Sequence, residues 1–298
     1  MRIGLSSPIV VAHPAAHAEW ERDAGIDELA RIAEAADRLG FDHLTCSEHV
    51  AVPVDVAAER GGVYWDPLAT LGFLAARTSR IRLATEVLVL GYHHPLEIAK
   101  RYGTLDAVSG GRLILGLGVG SLRAEFDLLG ASFEDRGARA DDALAALRAA
   151  LSRPRPEYHG SFYDFADMLV QPHAVQDRVP LWIGGRTRRS LRRAVELGDG
   201  WVPFGLSLDS TAEMLAAVEL PAGFDVVLGP GTPLDPLGAP ARAARALDRC
   251  AAAGATIANI SLTSSDADHY LDQLTALRAL AVELGCTLPA DHTETGES

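Results

Sequence analysis

Glu48-His49 and Gly184-Gly185-Arg186-Thr187 are the two stretches of this chain whose residue types and placement suit chemistry. Asp42–Ser47 (DHLTCS) reads as a strand, so His49 falls just past a strand's C-terminal end, with Glu48 beside it. An imidazole in that place can serve as general acid or base, or donate to a bound ring. The plainer alternative is a structural hydrogen-bonder. In the second stretch Leu181-Trp182-Ile183 is a short apolar run, broken by two glycines and followed by helical spacing at Leu191, Ala194 and Val195. Thr187 suits the N-cap of that helix and Gly198 its stop. Arg186, Arg188, Arg189, Arg192 and Arg193 crowd its first turns, where cations oppose the helix dipole. A phosphate lodged at the helix N-terminus, held by loop N–H groups and a guanidinium fork, explains the arrangement. A solvated basic face is the bland rival, and the outer arginines are expected to face solvent or acidic partners.

Gly116, Gly118 and Gly120 alternate through LGLGVGS. At strand period all three share one face, which is then bare of side chains. Bare backbone suits a flat ring lying against it, and equally suits tight packing inside a barrel. Other chemistries lack their residues. His93-His94 has neither H-x-H nor H-E-x-x-H spacing for a metal. The only lysine, Lys100, sits in a helical stretch and not at a strand end, where a Schiff base would need it. GVGSLR does not supply the G-x-S-x-G of a nucleophile elbow.

The elements that must position these residues alternate strand and helix. Strands are predicted from Ile3–Leu5, Asp42–Ser47, Ile81–Val89, Arg112–Leu117, Leu181–Ile183, Gly200–Pro203, Phe224–Leu228 and Ile257–Leu262, with helices between them. Helical spacing (Leu29, Ile32, Ala33, Ala36) runs over Ile26–Leu39, and further helices cover Pro67–Arg77, Pro95–Val108, Arg139–Leu151, Ala239–Ala253 and Ala267–Leu284. Strict βα alternation over this length reads as an α/β protein, a (β/α)8 TIM barrel, occupying residues 1–289 as one domain. A doubly wound sheet would put G-x-G-x-x-G after the first strand, and none is there. Residues 152–179 read as an insertion between strands 4 and 5, with a hairpin at Tyr158–Phe165. Ala51–Trp65 reads as a long loop, and residues 290–298 as a flexible tail. In such a barrel the site lies at the C-terminal strand ends, where Glu48, His49, Glu86, Ser121 and Gly184–Thr187 converge.

Composition bounds the partners. The 298 residues carry a formal net charge of −13, which disfavours nucleic acid and anionic membranes. Three scattered cysteines without CxxC fit a reducing compartment, and the opening MRIGLSSPIVV does not read as a signal peptide, so a cytoplasmic location is expected.

GFDHLTCSEH (Gly40–His49), DPLATLGFLAARTSRIRLATEVLVL (Asp66–Leu90), HPLEIAKRYGTLDAVSGGRLILGLGVGS (His94–Ser121) and EFDLLGASFEDRGAR (Glu125–Arg139), in this order and with the Pro180–Pro203 stretch, resemble the luciferase-like monooxygenase superfamily. The pattern is most similar to the branch dependent on coenzyme F420, an 8-hydroxy-5-deazaflavin. The resemblance implies hydride transfer between F420 and a small organic substrate, and a homodimer. It places His49 beside the ring, with Glu48 tuning it or binding the ring's polar edge. Thr85-Glu86-Val87 would form a third-strand bulge with a non-proline cis peptide behind the ring. Gly118, Val119, Gly120 and Ser121 would border the ring, while Gly184, Gly185, Arg186 and Thr187 hold the side-chain phosphate. Tyr64 and Trp65 would cover the substrate. Two departures stand out. Relatives that oxidise a sugar phosphate carry Glu where this chain has Ser121, and Gly91-Tyr92-His93-His94 replaces a common proline and arginine. The alternatives within the resemblance are an FMN-dependent two-component monooxygenase and a cofactor-binding carrier with little turnover.

Overall fold

The apolar runs become strands in the computed structural model of the protein, which describes residues 1–14 and 17–288. The tail expected at 290–298 lies outside the described residues. In chain order the strands are β1 (Arg2–Leu5), β2 (His43–Cys46), β3 (Arg82–Thr85), β4 (Leu88–Val89), β5 (Leu113–Gly118), β6 (Tyr158–His159), β7 (Asp164–Phe165), β8 (Leu181–Gly184), β9 (Gly200–Val202), β10 (Asp225–Leu228) and β11 (Ile257–Ile260). Eight of them, β1, β2, β3, β5, β8, β9, β10 and β11, pair in parallel around a ring that closes where β1 meets β11. The helices are α1 (Ile26–Arg38), α2 (Val54–Arg60), α3 (Pro67–Arg77), α4 (Pro95–Ser109), α5 (Arg123–Leu128), α6 (Arg136–Ala150), α7 (Arg188–Leu197), α8 (Leu208–Leu215), α9 (Pro240–Ala252) and α10 (Ala267–Glu283). The chain is therefore a closed (β/α)8 barrel, as its alternation requires.

Alternation along each strand divides two cores. Ala84, Ile114, Trp182, Val202, Val227 and Ile257 point inward and fill the barrel, with Val87 packed against them. The other strand faces pack on the helices, where α1 buries Leu29, Ile32, Ala33 and Ala36 along one stripe. At the N-terminal end Asp42 bonds His43 and Arg82 and pairs with Arg2, which also holds Asp225. Burial alone would push the Asp42 carboxyl up, but His43 and the arginines outweigh it and hold it far below the usual range.

Three segments differ from the sequence reading. Ala51–Trp65 is not a plain loop, because α2 occupies Val54–Arg60 with no residue buried. It lacks the apolar stripe by which helices are recognised. The single run Ile81–Val89 is split into β3 and β4, which flank a cis peptide between Glu86 and Val87. Arg123–Leu128, too short for two periods, is the helix α5, and α6 begins at Arg136, earlier than its first periodic apolar residue. Within 152–179, β6 and β7 pair antiparallel, with Tyr158 opposite Phe165. Asp142 of α6 anchors that hairpin through the Tyr158 hydroxyl and the Phe162 and Tyr163 N–H groups. No helix among the described residues is long and apolar enough to cross a membrane.

Candidate active site

His49 leaves the C-terminal end of β2, and its Nδ1 lies 2.8 Å from Glu125 Oε2 on α5. Glu125 is almost wholly buried and also accepts from the Tyr92 hydroxyl at 2.7 Å and from the Val50 and Ala51 N–H groups. Burial would raise its carboxyl pKa, but the bonds from His49, Tyr92 and Ala51 outweigh it and hold the group below the usual 4.5. A carboxylate on Nδ1 fixes the imidazole tautomer and leaves Nε2 to exchange a proton. Glu48, expected to tune His49, is engaged elsewhere. Its oxygens bond His93 Nε2 and the Val89 N–H, each at 2.7 Å. Consecutive side chains in extended backbone diverge, so the neighbour in sequence is not the partner in space. Glu48 instead pins the segment after β4, and despite the cost of burial its bond raises the His93 pKa.

The third-strand bulge and the glycine strand explain one another. A Cβ on Gly116 would stand 1.9 Å from the Thr85 carbonyl oxygen. Cβ atoms on Gly118 and Gly184 would meet Val87 methyls at 2.7 and 2.9 Å. At Gly116 and Gly118 the bare face is thus filled by the chain's own bulge, with Val87 clipped between Gly118 and Gly184, while Gly120 lies past β5 at φ +76° against Phe126 and Val89. Thr85 is fully buried and gives its hydroxyl to the Gly116 carbonyl at 2.7 Å, beneath the mouth. Glu86 is bonded by Asn259 Nδ2 at 2.6 Å; burial, only partly offset by that bond, pushes its carboxyl up to about 7.

Gly184 and Gly185 lead from β8 into α7. The backbone at Gly185 has φ +138°, and a Cβ there would meet the Ser190 side chain at 2.6 Å. Thr187 caps α7 by accepting from the Ser190 N–H at 3.1 Å, while its own N–H donates to Ser190 Oγ at 3.0 Å. These two N–H groups are therefore satisfied within the loop. Arg186 is exposed beside Phe204, whereas Arg193 is buried and paired with Asp141, which Arg189 also approaches at 3.7 Å.

Two cavities open at the strand ends. The larger, about 540 Å³, runs from His49 past Val87 and the Gly118–Ser121 segment to Gly184–Thr187. Arg60, Arg136, Arg186, Arg189 and Arg193 line it, against Glu48 and Glu134. Arg136 lies on the Phe133 ring at 3.7 Å and donates to the Gly120 carbonyl, and Arg60 reaches Ser121 Oγ at 3.1 Å. The smaller, about 350 Å³, lies over the ends of β1 and β11 and includes Glu86. His49 and Glu48 line both. Tyr64 packs edge-on against His49 at 4.5 Å and faces the smaller cavity; Trp65, beside it, packs on the hydrophobic core. Sequence reasoning missed Glu125, Tyr92, Arg60 and Arg136 as site residues. Glu125 and Arg136 lie in the EFDLLGASFEDRGAR stretch, but no local pattern marks a glutamate destined for burial.

The profile of the luciferase-like monooxygenase family matches residues 1–227, and the chain belongs to that family. Its relatives include the 4-hydroxyprotoasukamycin monooxygenase of Streptomyces nodosus subsp. asukaensis, 30% identical over 227 residues that cover 76% of this chain and 54% of the relative. They also include the F420-dependent glucose-6-phosphate dehydrogenase of Microbacterium testaceum, 29% identical over 182 residues that cover 60% of this chain and 52% of the relative. Among solved structures, the monooxygenase RslO1 from Streptomyces bottropensis superimposes with a TM-score of 0.74 at 24% identity, covering 96% of this chain and all of the other, and so shares the fold.

Proposed function

We propose that this chain is an F420-dependent oxidoreductase that moves a hydride between the deazaflavin and a small organic substrate. One observation carries the reading. In a chain of net charge −13, five arginines line the cavity that joins the glycine loop to His49, and four of them remain besides Arg193, which is held by Asp141. That donor set fits a long cofactor tail bearing a phosphate and further carboxylates better than it fits a single phosphate. The glycine loop adds a close approach of backbone to Ser190 that a side chain at Gly185 would block. Gly184–Thr187 with Arg186 would hold the phosphate, and Arg60 and Arg136 the outer anionic groups. Val87, Val119 and Gly120 would border the ring.

When bound, the deazaflavin accepts or returns two electrons as hydride and reacts poorly with oxygen. The chain's own residues do the rest. Glu125 fixes the His49 ring, so that Nε2 takes the proton of a substrate hydroxyl on oxidation, or returns it on reduction. Tyr64 packs edge-on against the His49 ring and helps to orient it.

The test is titration of the purified protein with F420 and with FMN, followed by turnover of His49→Ala. F420 should bind at least about tenfold more tightly than FMN. The variant should keep that affinity and lose about 10²-fold or more in turnover. Tighter FMN with oxygen consumption would instead select the flavin monooxygenase reading, which the 30% identity to 4-hydroxyprotoasukamycin monooxygenase favours.

A further inference from the structure

The smaller cavity differs from its neighbour in charge. Glu21, Glu48 and Glu86 line it, and none of the residues lining it is a lysine or arginine, whereas the larger cavity has five arginines. Glu21 and Glu48 spend their oxygens on backbone N–H groups and on His93. Among the described residues the side-chain partner of Glu86 is Asn259 alone, through one oxygen. Two groups on this wall lack partners among the described residues. The Ser7 and Tyr270 hydroxyls are buried without a hydrogen bond among the described residues, and Tyr270 is only 2% exposed. A buried hydroxyl left unbonded costs roughly 1–3 kcal/mol, so a site that keeps them suits a ligand able to bond them. The wall is otherwise rich in small hydroxyls, Ser6, Thr45, Ser47 and Ser261.

We propose that this smaller cavity is the substrate chamber, that it takes a compact neutral or cationic molecule carrying hydroxyl or amino groups, and that it rejects phosphorylated or carboxylated ones. Glu86 and Tyr270 read the substrate's polar groups, and His49, on the wall common to both cavities, meets its reacting end. This rests on the larger cavity being the cofactor seat. The physical reason is segregation of charge. An anionic substrate would leave its solvation to face carboxylates on a wall without lysine or arginine, where His13 and His49 are the basic groups, while an amine gains a carboxylate partner.

The experiment compares three probes of one skeleton, glucosamine, glucose and glucose 6-phosphate, by ligand-observed NMR with F420-loaded and cofactor-free protein. Glucosamine and glucose should bind at millimolar concentrations, and glucose 6-phosphate at least about tenfold more weakly. Glu86→Gln should remove the preference for the amine over the neutral sugar, and Tyr270→Phe should weaken both. Equal or tighter binding of the phosphate, no binding of either favoured probe, or an unchanged ranking in Glu86→Gln would overturn the proposal. Absence of F420 binding with the probe ranking intact would refute the cofactor seat and leave the chamber's charge selectivity standing.

Discussion

His49 owes its usefulness to a residue that sequence proximity does not suggest. Glu125 serves as acceptor for the imidazole, a tyrosine hydroxyl and two backbone N–H groups, so a change there leaves several donors without a partner. Glu125→Gln should cost about 1–3 kcal/mol at neutral pH and lower turnover about 10²-fold, with cofactor affinity kept. Because the folded carboxyl titrates below 4.5, its stabilisation is present above that pH and is lost as pH falls through its folded value. The difference in thermal midpoint between wild type and variant should therefore shrink on acidification. A difference constant down to the acid limit would show that Glu125 is not held as a carboxylate.

At the level of elements, the glycine strand β5 and the broken strand β3–β4 form one device. Val87 can stand where it does only because Gly118 and Gly184 lack side chains, and Gly116 lets the Thr85 carbonyl approach. Gly116→Ala places a methyl against backbone that cannot swing aside, so a loss of about 1–3 kcal/mol is expected in chemical denaturation. Gly72→Ala in α3, where nothing lies within 4 Å of the added methyl, is the control and should be neutral or gain up to about 1 kcal/mol. If both variants behave alike, the packing account of β5 fails.

For the molecule as a whole, the distribution of charge matters more than its sum. Arginines from α2, α6, the β8–α7 loop and α7 meet at one cavity although the chain is acidic overall. Binding of an anionic cofactor should weaken severalfold as ionic strength rises from about 0.05 to 0.5 M, because screening shortens the reach of the outer guanidinium groups. Arg136→Ser should weaken it about tenfold and flatten that salt dependence. Equilibrium titration at several salt concentrations checks both, and an affinity indifferent to salt would argue against the arginine-lined tail site.

The barrel was legible from residue order, because strand and helix periods and helix stops are local properties. The same reading put His49 and Gly184–Thr187 at strand ends, since in a parallel barrel every strand end faces one mouth. Contacts between distant segments decided the rest. Glu125 is 76 residues from His49, and no periodicity joins them. The alternating glycines were compatible with an open ring face or with close packing, and only the positions of Thr85, Val87 and Phe126 chose packing. The separation of an arginine-lined cavity from an acidic one was equally invisible, because each wall gathers single residues from many elements and charge at a site depends on which of them share a surface.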